Sequence, residues 1–140
     1  MIDELISFLN TKFEMKNLGS PSVFLGMNID TVKDGIHISM RDSIAKLKAD
    51  YDISAPLKPI DLSKGVNFFK SNTRSLTDAE HSLYRFLIGT ILYLAKTVKL
   101  DVAYPVSLLP QFLVKHQLVH LTGAKSVMQY LIQTSTLGLF

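Results

Sequence analysis

The period of the hydrophobic residues changes twice within the first fifty positions, and no other feature restricts the architecture as much. Ile2, Leu5, Ile6, Leu9 and Phe13 recur at helical spacing. Asp3 and Glu4 fall in the first turn, where the helix dipole favours acids. This pattern predicts a short amphipathic helix with one buried face. Asn17-Leu18-Gly19-Ser20-Pro21 breaks it. A strand-like run from Val23 to Asp30 then leads through the turn signal Lys33-Asp34-Gly35 into Ile36-His37-Ile38-Ser39-Met40, which alternates with period two. Residues 22–40 are therefore expected to form a β-hairpin. Helical spacing returns over 41–52, with Ile44, Leu47 and Tyr51 on one side.

Residues 54–75 hold Pro56, Pro59, Gly65 and many polar side chains, so they read as a linker and as the boundary between two parts. Thr77-Asp78-Ala79-Glu80 fits a capping box, in which the Thr side chain bonds the third amide and the Glu reaches back. The helix that follows should turn Leu83, Leu87, Ile91 and Leu94 inward. Asp101 is placed to cap a helix over about 102–113, and a last helix over about 117–133 carries Leu118, Leu121, Ala124, Met128 and Leu131. The chain reads as α+β, with a helix and β-hairpin followed by a small α-helical bundle. Its divisions are 1–53, a linker at 54–75, and a helical segment at 76–140.

At 140 residues the chain makes one domain or two small subdomains. A hydrophobic fraction of 47% is too high for a disordered chain. The net charge of +3, from 15 Lys+Arg against 12 Asp+Glu, is compatible with a phosphate-facing surface and does not demand one. The absence of cysteine excludes disulfides, thiol catalysis and cysteine-ligated zinc. Met1-Ile2-Asp3-Glu4 lacks the basic-then-apolar layout of a signal peptide. The longest apolar stretch, Leu87 to Ala95, is interrupted by Gly89 and Thr90 and falls well short of the ~20 residues that span a bilayer. The expectation is a soluble chain, not secreted and not membrane-bound, in cytoplasm or nucleus.

His116 and His120 have the four-residue spacing of a two-histidine metal site, but no Glu follows His116 and no third ligand is evident, so no metal site is expected. No G-x-S-x-G elbow occurs, and the seven glycines are scattered singly rather than gathered in a phosphate loop. Phe68, Phe69, Tyr84, Phe86 and Tyr93 are aromatics that could stack on bases. Core packing is the expectation for Tyr84 and Tyr93, while Phe68 and Phe69 would tuck the linker onto the bundle.

Lys12-Phe13-Glu14-Met15-Lys16-Asn17-Leu18-Gly19, followed by Phe24-Leu25-Gly26, resembles copia-type retrotransposon reverse transcriptases. In that family a stretch of the form KFEMKDLG and then FLG follows the polymerase active-site strand. Asp34-Gly35-Ile36-His37-Ile38-Ser39 resembles the family's DGI segment, with Met40 where Gln is usual. Tyr84 to Ala95 resembles its YR-x-L(V/I)G-x-LLYLA helix, Asp101-Val102-Ala103-Tyr104 its RPDIAYAV stretch, and His120 to Thr134 the helix after it. Five motifs stand in the family's order over nearly the whole chain.

The resemblance implies that residues 2–40 correspond to the end of the polymerase palm. Phe24, Leu25, Gly26 and Met27 would form the primer grip, and residues 41–134 the thumb and the start of the connection. Arg41, Lys46 and Lys48 would offer cations to phosphates of an RNA–DNA or DNA duplex, giving salt-dependent, sequence-tolerant binding. An intact element's polymerase is a second partner that the resemblance suggests.

The departures from the family pattern bear on activity. Polymerase chemistry needs carboxylates holding two metal ions, Mg2+ in the parent enzyme, and two of them are adjacent in the family's YVDD-like strand. This chain holds no adjacent pair of aspartates. Asp3 and Glu4 are neighbours, but they open a helix. No catalytic residue, metal ligand or cofactor is therefore assigned. Lys99-Leu100-Asp101 stands where the family has Arg-Pro-Asp, and Leu121 where it has Trp. Pro105 lies near a helix start, where it is tolerated, whereas Pro110 is expected in mid-helix, at a cost of about 3 kcal/mol, unless the helix ends at Leu109. The expectation is a transposable-element relic without catalysis of its own. A nucleic-acid-binding module and an interaction protein are the alternatives.

Overall fold

A computed structural model describes residues 2–50 and 73–140. Helix α1 (Ile2–Lys12) leads into a three-stranded antiparallel meander of β1 (Val23–Phe24), β2 (Met27–Val32) and β3 (Gly35–Ser39). Helix α2 (Arg41–Asp50) follows, then α3 (Asp78–Thr97), α4 (Ala103–Leu108) and α5 (Leu118–Gln133). Single 3-10 turns at Leu100–Val102 and Leu109–Phe112 flank α4. The fold class is α+β, as the hydrophobic periods imply. The linker positions 54–72, with Phe68 and Phe69, and Tyr51 of the second helix lie outside the described residues.

The Thr77 capping box forms. Glu80 N donates to Thr77 Oγ1 at 3.4 Å, and Thr77 N donates to Glu80 Oε2 at 2.9 Å. Arg74 adds a two-pronged grip on the same carboxylate at 2.8 and 2.6 Å. That grip first, and the Thr77 amide next, lower the Glu80 carboxyl to about 2. Helix α3 is thereby fixed at its start, and its inner face supplies Tyr84, Leu87, Ile91 and Leu94 to the core. They meet Leu121, Ala124, Met128 and Leu131 of α5, together with Met40 and Ile44 from the sheet–α2 junction. One apolar cluster therefore joins the front of the chain to the back.

Four expectations change. Residues 22–40 form a meander rather than a single hairpin, because the chain reverses at Leu25–Gly26 as well as at Lys33–Asp34. Leu25 and Gly26 both have positive φ, 49° and 76°, the mirror-image turn whose twist suits paired strands. Gly26 signals such a turn, but a leucine does not.

Helix α1 is present but buries none of its side chains. Ile2, Leu5, Phe8 and Phe13 are all more than half exposed and Ile6 and Leu9 are only half-buried, so the expected buried face does not form.

The predicted helix over 102–113 is instead two 3-10 turns around a six-residue helix. Asp101 does not cap it, and its carboxylate accepts the Tyr130 hydroxyl at 2.5 Å. Pro105 lies in the first turn of α4, and Pro110 falls past its end, where a missing amide hydrogen disrupts no helix.

Tyr84 is buried as expected and donates to the Leu109 carbonyl at 2.6 Å, but Tyr93 is 47% exposed and lies outside the core. Lys99, which the sequence marked only as a departure from the family, is buried and donates to the carbonyl and hydroxyl of Thr134, closing the end of α5. Burial pushes its ammonium down from the ordinary lysine value, and Asp101 partly offsets this.

Candidate functional site

The Leu25–Gly26 turn is held from both neighbouring helices. Ser43 of α2 donates its hydroxyl to the Gly26 carbonyl at 2.8 Å, and Tyr93 of α3 donates to the Leu25 carbonyl. A Cβ on Gly26 would stand 3.0 Å from Ser43 Oγ and 3.8 Å from Met40 Cε. Glycine is thus required twice here, for its left-handed backbone and for the close approach of α2.

The residues that clamp the turn also line a groove of about 520 Å3 between α2 and α3. Met40, Leu47 and Leu94 give it an apolar floor, Phe86 and Tyr93 an aromatic wall, and Lys46 a cation. The size falls within the ~300–1,000 Å3 of ligand clefts. Gly89 lies on its surface, where an added Cβ would meet nothing within 4 Å.

The structure brings some of the proposed contact residues together and separates others. Gly26 closes on Ser43, Met40 and Tyr93, three residues that line the groove together with Lys46. Phe24 and Leu25 project to solvent beside it, and Met27 packs against the core. Arg41 faces elsewhere. Its guanidinium grips Asp30 of β2 at 2.5 and 3.1 Å, and the hydrogen bond with Asp30 holds it further above the ordinary arginine value. Lys48 is exposed, two residues past Lys46 and so on another side of α2. Lys46 is thus set apart from Arg41 and Lys48, which lie seven residues apart on one side of α2. Sequence reasoning missed Ser43 and misplaced Tyr93, because a hydroxyl that holds a carbonyl far along the chain leaves no local pattern.

Four of the described carboxylates bear on metal binding. Asp3 and Glu4 lie in the exposed first turn of α1. Asp30 is bound to Arg41, and Asp42 accepts from Asn28 Nδ2 at 2.5 Å while its own amide donates to Asn28 Oδ1 at 3.3 Å. Among the described residues no three His, Cys, Asp or Glu side chains come together as a metal site would require. The described residues are not arranged as a two-metal centre.

His116 and His120 share no helix face, since His116 precedes α5. It stacks on His81 at 3.9 Å, while His120 stacks on Phe112 at 4.0 Å and accepts the Gln117 amide at 2.9 Å. Among the described residues no helix is long and apolar enough to cross a membrane.

Over 139 residues, 98% of its length, the chain is 33% identical to the Saccharomyces cerevisiae protein named "Putative transposon Ty5-1 protein YCL074W", 44% of which is matched. It is 30% identical over 146 aligned positions to the retrovirus-related Pol polyprotein from transposon RE1 of Arabidopsis thaliana, covering all of this chain and 9% of that polyprotein. The chain therefore spans less than half of either relative. No protein-family model and no solved structure matches it.

Proposed function

We propose that this retrotransposon Pol-derived chain is a non-catalytic remnant of a reverse transcriptase, formed by the primer-grip end of the palm, the thumb and the start of the connection. The two transposon relatives support the origin, since each aligns with 98% or more of the chain. The placement of the acids carries the claim of inactivity. Transfer of a nucleotide needs carboxylates converging on two metal ions at the primer end. Here Asp30 and Asp42 are engaged in holding the sheet to α2, and Asp3 and Glu4 stand apart on α1.

Within this reading the β1–β2 turn corresponds to the primer grip and the α2/α3 pair to the thumb. The fold retains the ledge without the chemistry. Nucleotide incorporation on a template–primer with Mg2+ tests it, and none is expected. A lengthened primer would refute it.

A second reading, an interaction protein, is favoured by one observation. The groove beside the turn is predominantly apolar, and Arg41, though exposed, is already paired with Asp30. A duplex grip relies on several cations along one track. A salt-dependent shift of an RNA–DNA duplex by the purified chain would support the nucleic-acid module instead. Co-purification with an intact element's polymerase would support docking on it.

A further inference from the structure

The sheet ends on β3, and the last residues of the sequence cover it. At the opposite side β1 is only two residues long, so that edge strand offers little backbone to pair with. β3 is five residues long. Proteins blunt such edges with lysine, proline or a bulge. β3 contains neither lysine nor proline, and its register with β2 runs from Gly35 to Ser39 without a bulge.

Another segment of the chain does the blunting. The Ile38 amide donates to the Leu139 carbonyl at 2.9 Å, and the Leu139 amide donates to the Ile38 carbonyl at 2.8 Å. Both polar groups of Ile38 therefore point away from β2, and by the alternation of an antiparallel ladder so do those of Ile36. Gly138 makes the approach possible. A Cβ there would collide with the Ile38 carbonyl oxygen and stand 2.7 Å from His37 Nε2. Glycine in such a place marks backbone meeting backbone at close range.

Little else holds the segment. Leu137, Leu139 and Phe140 are all exposed, and Phe140 meets the sheet through His37, with ring centroids 5.1 Å apart. Two hydrogen bonds with so little apolar burial behind them open far more readily than the core.

We propose that residues 137–140 are a strap that caps the β3 edge, and that its release lets β3 pair with β3 of a second copy. The edge already accepts an antiparallel neighbour at Ile38, which is the geometry that a second β3 would use. Two β3 strands related by a two-fold axis run antiparallel and bond through the same groups, so the contact is self-complementary and closes at two copies. Strap and second copy compete for Ile38, so the strap keeps the chains apart until it lifts. The device depends on the sheet alone and on no property of a polymerase.

Two variants release the strap by different means. Leu139→Pro removes the amide that bonds the Ile38 carbonyl, and Gly138→Val drives a side chain into that carbonyl. Both sites lie outside the apolar cluster, so the amide protection of Leu87 and Ile91 in α3 should match the parent. Exchange of the Ile38 amide, read by NMR in dilute solution, should rise about tenfold or more. Light scattering at micromolar concentration should show the variants as dimers and the parent as a monomer. Adding Ile36→Lys to Leu139→Pro should restore the monomer, because a charge on an edge strand opposes pairing. An Ile38 amide that exchanges as in the parent, variants no more associated than the parent, or a dimer indifferent to Ile36→Lys would overturn the proposal. So would loss of the α3 protection in both variants, which would show that residues 137–140 hold the core rather than the edge.

Discussion

The Tyr93 hydroxyl donates to the carbonyl of Leu25, 68 residues earlier in the chain, and so ties the outer face of α3 to a turn in the left-handed region. Removing the hydroxyl leaves that carbonyl to water and frees one side of the turn. Tyr93→Phe should cost about 0.5–1.5 kcal/mol in a chemical melt. Faster amide exchange should be confined to residues 24–28. Leu25→Gly should do the opposite, relieving about 1 kcal/mol of left-handed strain, partly offset by the freer unfolded chain.

Tyr84 is buried and holds the Leu109 carbonyl at 2.6 Å. It joins α3 to the irregular stretch around Pro110. Tyr84→Phe keeps the ring and strands the carbonyl, so the expected loss is about 1–3 kcal/mol by urea unfolding. A change below about 0.5 kcal/mol would mean that the bond contributes nothing.

Acid should loosen the start of α3. The Glu80 carboxyl is lowered from 4.5 to about 2 by Arg74 and the Thr77 amide. A carboxyl lowered on folding adds stability above its unfolded value, and that stability is lost as pH falls through the folded one. The melting temperature should therefore fall between about pH 4.5 and about pH 2, and Glu80→Gln should flatten that portion of the curve.

Pro110 lies past the end of α4, in a 3-10 turn whose early amides need no partner. Pro110→Ser should shift stability by no more than about 0.5 kcal/mol. A gain near 3 kcal/mol would show instead that the proline interrupts a helix that would otherwise continue.

Local chemistry made much of the fold readable. Thr77 and Glu80 sit three residues apart and form their box whatever surrounds them. Ile36 to Ser39 alternate as a strand does, although burial rises along β3 towards Ser39 and only Ile38 of its two isoleucines packs on the core, and the α+β class follows from these periods. The groove was not readable. It depends on Ser43 and Tyr93 meeting a turn far from them in sequence, and on a leucine adopting positive φ against its preference. The resemblance offered Arg41 as a phosphate contact, and its engagement with Asp30, which arises only when β2 lies beside the start of α2, leaves no local pattern. The stripe on α1 reads as one buried face, but the helix buries none of its side chains. What would cover that face is not encoded within the helix.

The central claim is that the scaffold persists without a two-metal centre. Purified chain should be incubated with an RNA template, a DNA primer, deoxynucleotides, and Mg2+ or Mn2+ in turn, and primer length read on a gel. Primers that stay at their starting length with both metals are the predicted result. Metal-dependent extension above a no-protein control would contradict the account.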